Sequence, residues 1–118
     1  MGLVGRNFGK KRGYNKMTRI EQPELDILLR LHAETWVDSF DANVTFGETL
    51  SLVEYNLSGL DLSNKELRSC HLINCDLRNC DFTNSNISHS ELIGSDLRGA
   101  IMTGIIDEGT DYTNSVRN

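Results

Sequence analysis

The sequence lacks the long apolar runs that mark membrane and secreted proteins. No stretch of its 118 residues approaches the roughly 18 consecutive apolar residues needed to span a bilayer. The first residues, MGLVGRNFGKK, contain no apolar segment of a secretion signal, and Arg6 stands where a myristoylation motif requires Ser or Thr. We therefore expect no membrane partner, and a soluble protein that is cytoplasmic or carried in a larger particle.

Cysteine is scarce, and its number is odd. Cys70, Cys75 and Cys80 cannot all pair within one chain, which indicates reduced thiols. Their C-x4-C spacing lies near the edge of zinc-binding patterns, and His71 and His89 are close in sequence. Three interpretations of these cysteines are open: zinc ligands, a disulfide framework, or positions set by a wider sequence pattern.

The charge of −5 is unevenly distributed. Residues 1–22 carry six Lys/Arg against one acid (+5), residues 23–49 carry one base against six acids (−5), and residues 50–118 carry five bases against ten acids (−5). A basic N-terminal segment followed by an acidic remainder predicts an arm that binds an acidic surface, whether protein or nucleic acid.

The dominant feature is a period of five residues. Stepping by five from Leu52 to Tyr112 gives thirteen positions, and twelve are apolar, where a composition of 38% would supply about five. Asp or Asn often precedes this central position, a small residue often stands two before it, and Gly or Asn often stands two after it. Neither the helical period nor the strand period produces such a pattern.

Units such as CDLRN, CDFTN and SDLRG resemble the pentapeptide-repeat family, whose consensus reads roughly A-(D/N)-L-x-x, and the resemblance covers residues 50–116. It implies an all-β solenoid, a right-handed quadrilateral β-helix of about three coils. The central residue and the small residue would point inward. Cys70, Cys75 and Cys80 would then fill small inward slots as buried, reduced side chains, and His71 and His89 would point outward. We expect no metal and no cofactor.

Residues twenty apart should stack on one wall of this β-helix. The outward file Ser51, His71, Glu91, Asp111 mixes a serine, a histidine and acids, but a flat wall offers no concave site, so we expect no catalysis. The burial pattern predicts buried Leu72, Leu77, Phe82 and Leu97, and exposed Asp76, Asp81 and Asp96.

Two apolar surfaces remain as candidate partner-binding sites. One wall carries Val53, Ile73 and Ile93 in an outward file whose counterparts on the other walls are polar, and such a stripe is usually covered. The repeat pattern also fails near the end, where we expect Ile101, Ile105, Ile106 and Val116 to be exposed. An open β-helix end needs a cap or partner, so self-association through this C-terminal end is an expectation.

The segment before the repeats predicts a helix. Gln22-Pro23-Glu24 is typical of a helix start, and an apolar face follows at helical spacing. That face comprises Leu25, Leu28, Leu29, His32, Trp36, Val37 and Phe40. The run resembles the short helical leader that caps the first coil in many pentapeptide-repeat proteins, and His32 is interpreted as a packed helix residue.

Residues 1–16 contain four glycines and five basic residues and show no period. We therefore divide the chain into an extended basic arm (1–20), a capping helix with its connector (21–49) and the pentapeptide-repeat β-helix (50–118). The arm residues expected to bind a partner are Leu3, Val4, Phe8, Lys10, Lys11, Arg12 and Tyr14.

Two classes of function fit this organisation. The first is a non-enzymatic assembly protein in a virion, such as a bacteriophage capsid decoration (cement) protein held by its arm. The second resembles the quinolone-resistance members of the family, which imitate DNA and block gyrase, a type II topoisomerase. Mimicry needs a long acidic rod, and a stack of roughly 16 Å is short for that role. We favour assembly with protein partners and do not expect nucleic acid.

Overall fold

The computed structural model describes residues 17–34 and 49–117. The regular elements are β1 (Thr18–Arg19), α1 (Gln22–Glu34), β2 (Ser51–Val53), β3 (Tyr55–Asn56) and β4 (His71–Ile73). The remainder of 49–117 consists of single β-bridges joined by tight turns. Within the described ranges, no helix is long and apolar enough to cross a membrane.

Parallel pairing at a constant offset of twenty residues organises the repeats. In β2 and β4, Ser51 pairs with His71 and Val53 with Ile73. The same offset continues through bridges such as Asp61↔Asp81 and Asp96↔Val116. Four pentapeptides therefore form one four-sided coil, and each coil pairs only with its neighbours, which is the predicted β-helix arrangement.

The four walls are labelled A to D in chain order. Wall A comprises residues 51–54, 71–74, 91–94 and 111–114; wall B 56–59, 76–79, 96–99 and 116–117; wall C 61–64, 81–84 and 101–104; and wall D 66–69, 86–89 and 106–109. Wall A is opposite wall C because successive pentapeptides occupy successive sides.

The corners explain the recurring Asn and Gly. Asn74 and Gly94 occupy the same corner in successive coils, with φ of 53° and 71°. Asn and Gly adopt this left-handed conformation more readily than other residues, so the sequence supplies them where the chain turns between walls.

The interior is a column of central apolar residues, and the predicted burial of Leu72, Leu77, Phe82 and Leu97 is confirmed, with exposures of 0–3%. The small inward slots next to them share one hydrogen bond. Cys75 Sγ donates to Leu52 O (3.4 Å) and Ser95 Oγ donates to Leu72 O (2.6 Å), each across 23 residues. The cysteine thiol and the serine hydroxyl therefore make the same kind of hydrogen bond in these slots, each to a backbone carbonyl of the previous coil.

The edge of the first coil is covered by β1 and α1. β1 pairs in parallel with β3, and Ile20 N donates to Asn56 O (3.1 Å). α1 then contributes Leu25, Leu28 and Leu29 to the core. The expected arm boundary at residue 20 is therefore too late, because residues 18–20 pair with or pack on the β-helix. Residues 1–16 and the predicted helix residues Trp36, Val37 and Phe40 lie outside the described residues.

The expected exposure of Asp76 is wrong, since Asp76 is only 9% exposed. Arg78 folds back over this carboxylate, donating from Nε (2.8 Å) and Nη2 (2.7 Å). Asp81 and Asp96, in equivalent slots, are half-buried rather than exposed. The repeat predicted that these side chains point outward, which is correct. It does not predict which neighbouring side chains cover them.

Candidate interaction surfaces

Wall A carries the apolar stripe that the sequence predicted. Val53 is 40% exposed, and Ile73 and Ile93 are half-buried. Beside the stripe, His71 Nε2 lies 3.7 Å from Glu91 Oε1. The serine–histidine–acid file is therefore a surface ladder along a β-helix wall.

Wall B is a ladder of paired charges. Arg78 binds Asp76 (2.7 Å) and approaches Asp96 (4.0 Å), and Arg98 binds Asp96 (2.6 Å). The side-chain hydrogen bond from Arg78 is the main cause that lowers the pKa of Asp76, and that from Arg98 lowers the pKa of Asp96. Both carboxylates are ionised at neutral pH, but their charge is neutralised locally.

The last coil changes the chemistry of three walls. Ile101, Ile106 and Val116 point outward and are 47%, 53% and 46% exposed. They lie directly below Asp81, Asn86 and Asp96, respectively, in the same files. We call these three apolar residues the last-coil belt.

The belt residues stand at positions where other coils have side chains that accept a hydrogen bond from the turn backbone. Asp81 Oδ1 accepts a hydrogen bond from Thr83 N (2.9 Å), and Asn86 Oδ1 accepts one from Ser88 N (3.0 Å). Ile101 and Ile106 cannot make the equivalent bond. The chain therefore forgoes a turn-stabilising interaction and exposes apolar surface instead, a combination that the fold itself does not require.

The other departures in the last coil are of a different kind. Ile105 was expected to be exposed, but it fills a small inward slot, is half-buried and packs against the core. Asp107 stands in a central slot and is exposed, and its Oδ2 accepts a hydrogen bond from Tyr112 Oη (2.7 Å). Burial, and then this hydrogen bond, raise the pKa of Tyr112.

The cysteines show no metal-site geometry. Cys70, Cys75 and Cys80 are free and buried, and burial raises their pKa values to about 12, about 12 and about 11. No cluster of three or more His, Cys, Asp or Glu side chains that could hold a metal ion occurs within 17–34 and 49–117. These thiols are poor nucleophiles and poor ligands because the thiolate is strongly disfavoured.

His32 joins the cap to the first coil. The N–H of Leu50 donates to His32 Nδ1 (2.8 Å), and His32 Nε2 lies 2.8 Å from Arg68 O. Since Nδ1 accepts, the proton resides on Nε2, which donates to the carbonyl. Burial is the main cause that lowers the pKa of His32, consistent with a neutral ring.

Sequence reasoning did not identify a second cap residue of this kind. The side chain of Gln22 donates to Asp61 O (3.0 Å) and accepts from Asp61 N (2.8 Å), as the backbone of a neighbouring strand would. The sequence indicated only that Gln22 starts a helix. Its role depends on a contact across 39 residues that no local pattern encodes.

Comparison with known proteins agrees with this geometry. Residues 66–104, about a third of the chain, match the family model for pentapeptide repeats, in eight copies. Residues 66–104 are pentapeptide repeats. Pentapeptide repeats imply a right-handed β-helix, and proteins built from them are generally non-enzymatic structural or interaction proteins.

The chain is also similar to a solved structure. This is the crystal structure of the pentapeptide repeat protein Rfr23 from the cyanobacterium Cyanothece 51142, with 20% sequence identity and a TM-score of 0.44. The match covers 69% of this chain and 71% of the cyanobacterial chain. No curated protein matches the sequence.

Proposed function

We propose that this pentapeptide-repeat protein is a non-enzymatic assembly protein, a virion component such as a capsid decoration (cement) protein anchored by its N-terminal arm. The observation that carries the proposal is the last-coil belt. Ile101 and Ile106 are half exposed in slots where the same walls elsewhere place hydrogen-bonding Asp and Asn. Outward apolar residues that replace turn-stabilising ones are expected at a protein–protein contact.

Wall A supports the same proposal through a second surface. Val53, Ile73 and Ile93 form a continuous stripe over three coils, whereas the equivalent file on wall C is Ser63, Thr83 and Thr103. The arm adds apolar and basic residues, which we assign as the attachment segment of the protein. Self-association through the belt is compatible with this role.

The test is whether the chain is a stoichiometric component of virus particles from its natural source. Quantitative mass spectrometry of purified particles should detect it at a fixed ratio to the main shell protein. Full-length Phe8→Ser/Tyr14→Ser should lower that occupancy several-fold, and Ser63→Ala, on the polar file of wall C, should leave it unchanged. Particles that contain none of the protein would overturn the proposal.

The gyrase alternative is weaker for a specific reason. Wall B places Arg78 and Arg98 on Asp76 and Asp96, so its acidic file is neutralised rather than presented as a run of unpaired charge. A DNA mimic needs the opposite arrangement, because the phosphates it imitates carry regularly spaced negative charge. We expect no inhibition of supercoiling by the purified protein at micromolar concentration.

A further inference from the structure

Wall A combines apolar surface with charge of a single sign. Its described residues include the carboxylates Glu54, Glu91 and Asp111 and no lysine or arginine. Glu91 is 44% exposed through its side chain, and Asp111 is exposed. Its natural occupant is therefore a segment that is both apolar and basic.

Strand β1 places the start of the described residues beside wall A. β1 runs parallel to β3 with Thr18 opposite Tyr55 and Arg19 opposite Asn56. Continued by one residue, this register puts Met17 at the corner of Glu54, where walls A and B meet. Because the strands are parallel, Met17 lies at the wall A end of β1, and residues 1–16 join the described chain at this point.

Residues 1–16 have the matching composition and sufficient length. They carry five basic residues and, among apolar ones, Phe8 and Tyr14. The stripe from Val53 to Ile93 spans two coil spacings, roughly 10 Å. Sixteen extended residues reach roughly 55 Å, so the arm can cover the stripe without strain.

We propose that in the free protein residues 1–16 dock on wall A of their own chain, with Phe8 and Tyr14 on the Val53–Ile73–Ile93 stripe and the basic residues against Glu91 and Asp111. The other walls suit the arm less well. Wall B pairs Arg78 and Arg98 with Asp76 and Asp96, so it offers a basic segment no unpaired carboxylate in that ladder, and walls C and D have no comparable stripe. Docking covers both the wall A stripe and the apolar side chains of the arm until a partner displaces the arm. The proposed docking does not depend on the identity of the larger assembly.

Residues 35–48 are the competing occupant within the chain, because they lead into β2. Their charge argues against them. The segment contains Asp38, Asp41 and Glu48 and no basic residue, so it carries −3 towards a wall whose own charged residues are carboxylates. Like charges at close range disfavour that contact.

Paramagnetic relaxation in the full-length protein tests the docking directly. A nitroxide is attached at Asn7→Cys, and the buried native thiols leave this cysteine as the reactive one. Methyl signals of Val53, Ile73 and Ile93 should lose most of their intensity, whereas those of Thr83 and Thr103 on opposite wall C should keep theirs. Adding Phe8→Ser/Tyr14→Ser to the labelled chain should restore the wall A signals, and raising the salt concentration should restore them in part.

Three results would overturn the proposal. Equal broadening on walls A and C, or none, would mean that the arm has no fixed site. Broadening that appears only when labelled chains are mixed with unlabelled, isotope-enriched ones would mean that copies exchange arms. Nuclear Overhauser contacts between the wall A methyls and the rings of Trp36 or Phe40 would assign the stripe to residues 35–48.

Discussion

Asn74 lies over Gly94, one coil below it at the same corner of the β-helix. A Cβ atom on residue 94 would meet Asn74 Oδ1 well inside van der Waals contact. The same relationship recurs between Asn79 and Gly99. Asparagine and glycine are thus paired between coils as well as selected for the turn within each coil.

Gly94→Ala should therefore destabilise the protein by about 1–3 kcal/mol, because Ala at φ 71° is strained and Asn74 must move. Gly59→Ala is the matched control. Its φ is 77°, but no atom lies within 4 Å of the added Cβ, so it incurs only the backbone strain. Chemical denaturation of both variants measures the difference, and equal losses would show that the Asn74 contact is unimportant.

Stability should fall as the pH drops below about 6.5, the ordinary pKa of histidine, because of His32. Its pKa is lowered in the folded protein, chiefly by burial, with Glu66 opposing and His71 adding to the shift. The unfolded chain therefore binds a proton that the folded chain does not, and one such proton gives a slope of at most about 1.4 kcal/mol per pH unit.

The unfolding free energy measured from about pH 7.5 to 5 tests this prediction, together with NMR titration of the His32 ring. His71→Gln, on wall A, should preserve most of the slope. A His32 midpoint at or above the ordinary value would contradict the proposed neutral, doubly hydrogen-bonded ring.

The native thiols should react slowly with a thiol reagent at about pH 8, because burial raises their pKa values to about 11–12 and blocks access. All three should react rapidly in denaturant, which provides the control. Elemental analysis should find no stoichiometric zinc, and zinc that is lost on Cys75→Ser would reverse the structural interpretation of these residues.

Ile101→Asp should leave the fold at least as stable as the wild type, with a gain of up to about 1 kcal/mol. The new carboxylate can accept from Thr103 N as Asp81 accepts from Thr83 N (2.9 Å) one coil above. Thr103→Asp adds the same charge nearby but keeps the isoleucine. Thermal denaturation compares the two, and a large loss in Ile101→Asp would mean that Ile101 is a structural residue and not a contact residue.

The repeat region could be predicted from sequence because its information is local. Each pentapeptide specifies its own inward residues and its own corner, so Leu72, Phe82 and Cys75 could be placed without knowing the tertiary structure. The cap could be predicted only as a helix. Gln22 and His32 act through contacts 36–39 residues away in sequence, and Asp76 is buried by how Arg78 folds back. The last-coil belt is visible in the sequence as a break in the repeat, and the wall A stripe as an apolar file among polar ones, but neither pattern identifies a partner.

The shared hydrogen bond of the inward slots has an evolutionary consequence. A carbonyl such as Leu52 O or Leu72 O accepts from a thiol (3.4 Å) in one slot and from a hydroxyl (2.6 Å) in another, so either residue can occupy the slot, although the thiol is the weaker donor. We therefore expect single exchanges of cysteine and serine in these slots to leave the fold intact. A lineage could lose its cysteines on entering an oxidising environment, or gain them on leaving it, while keeping the same scaffold.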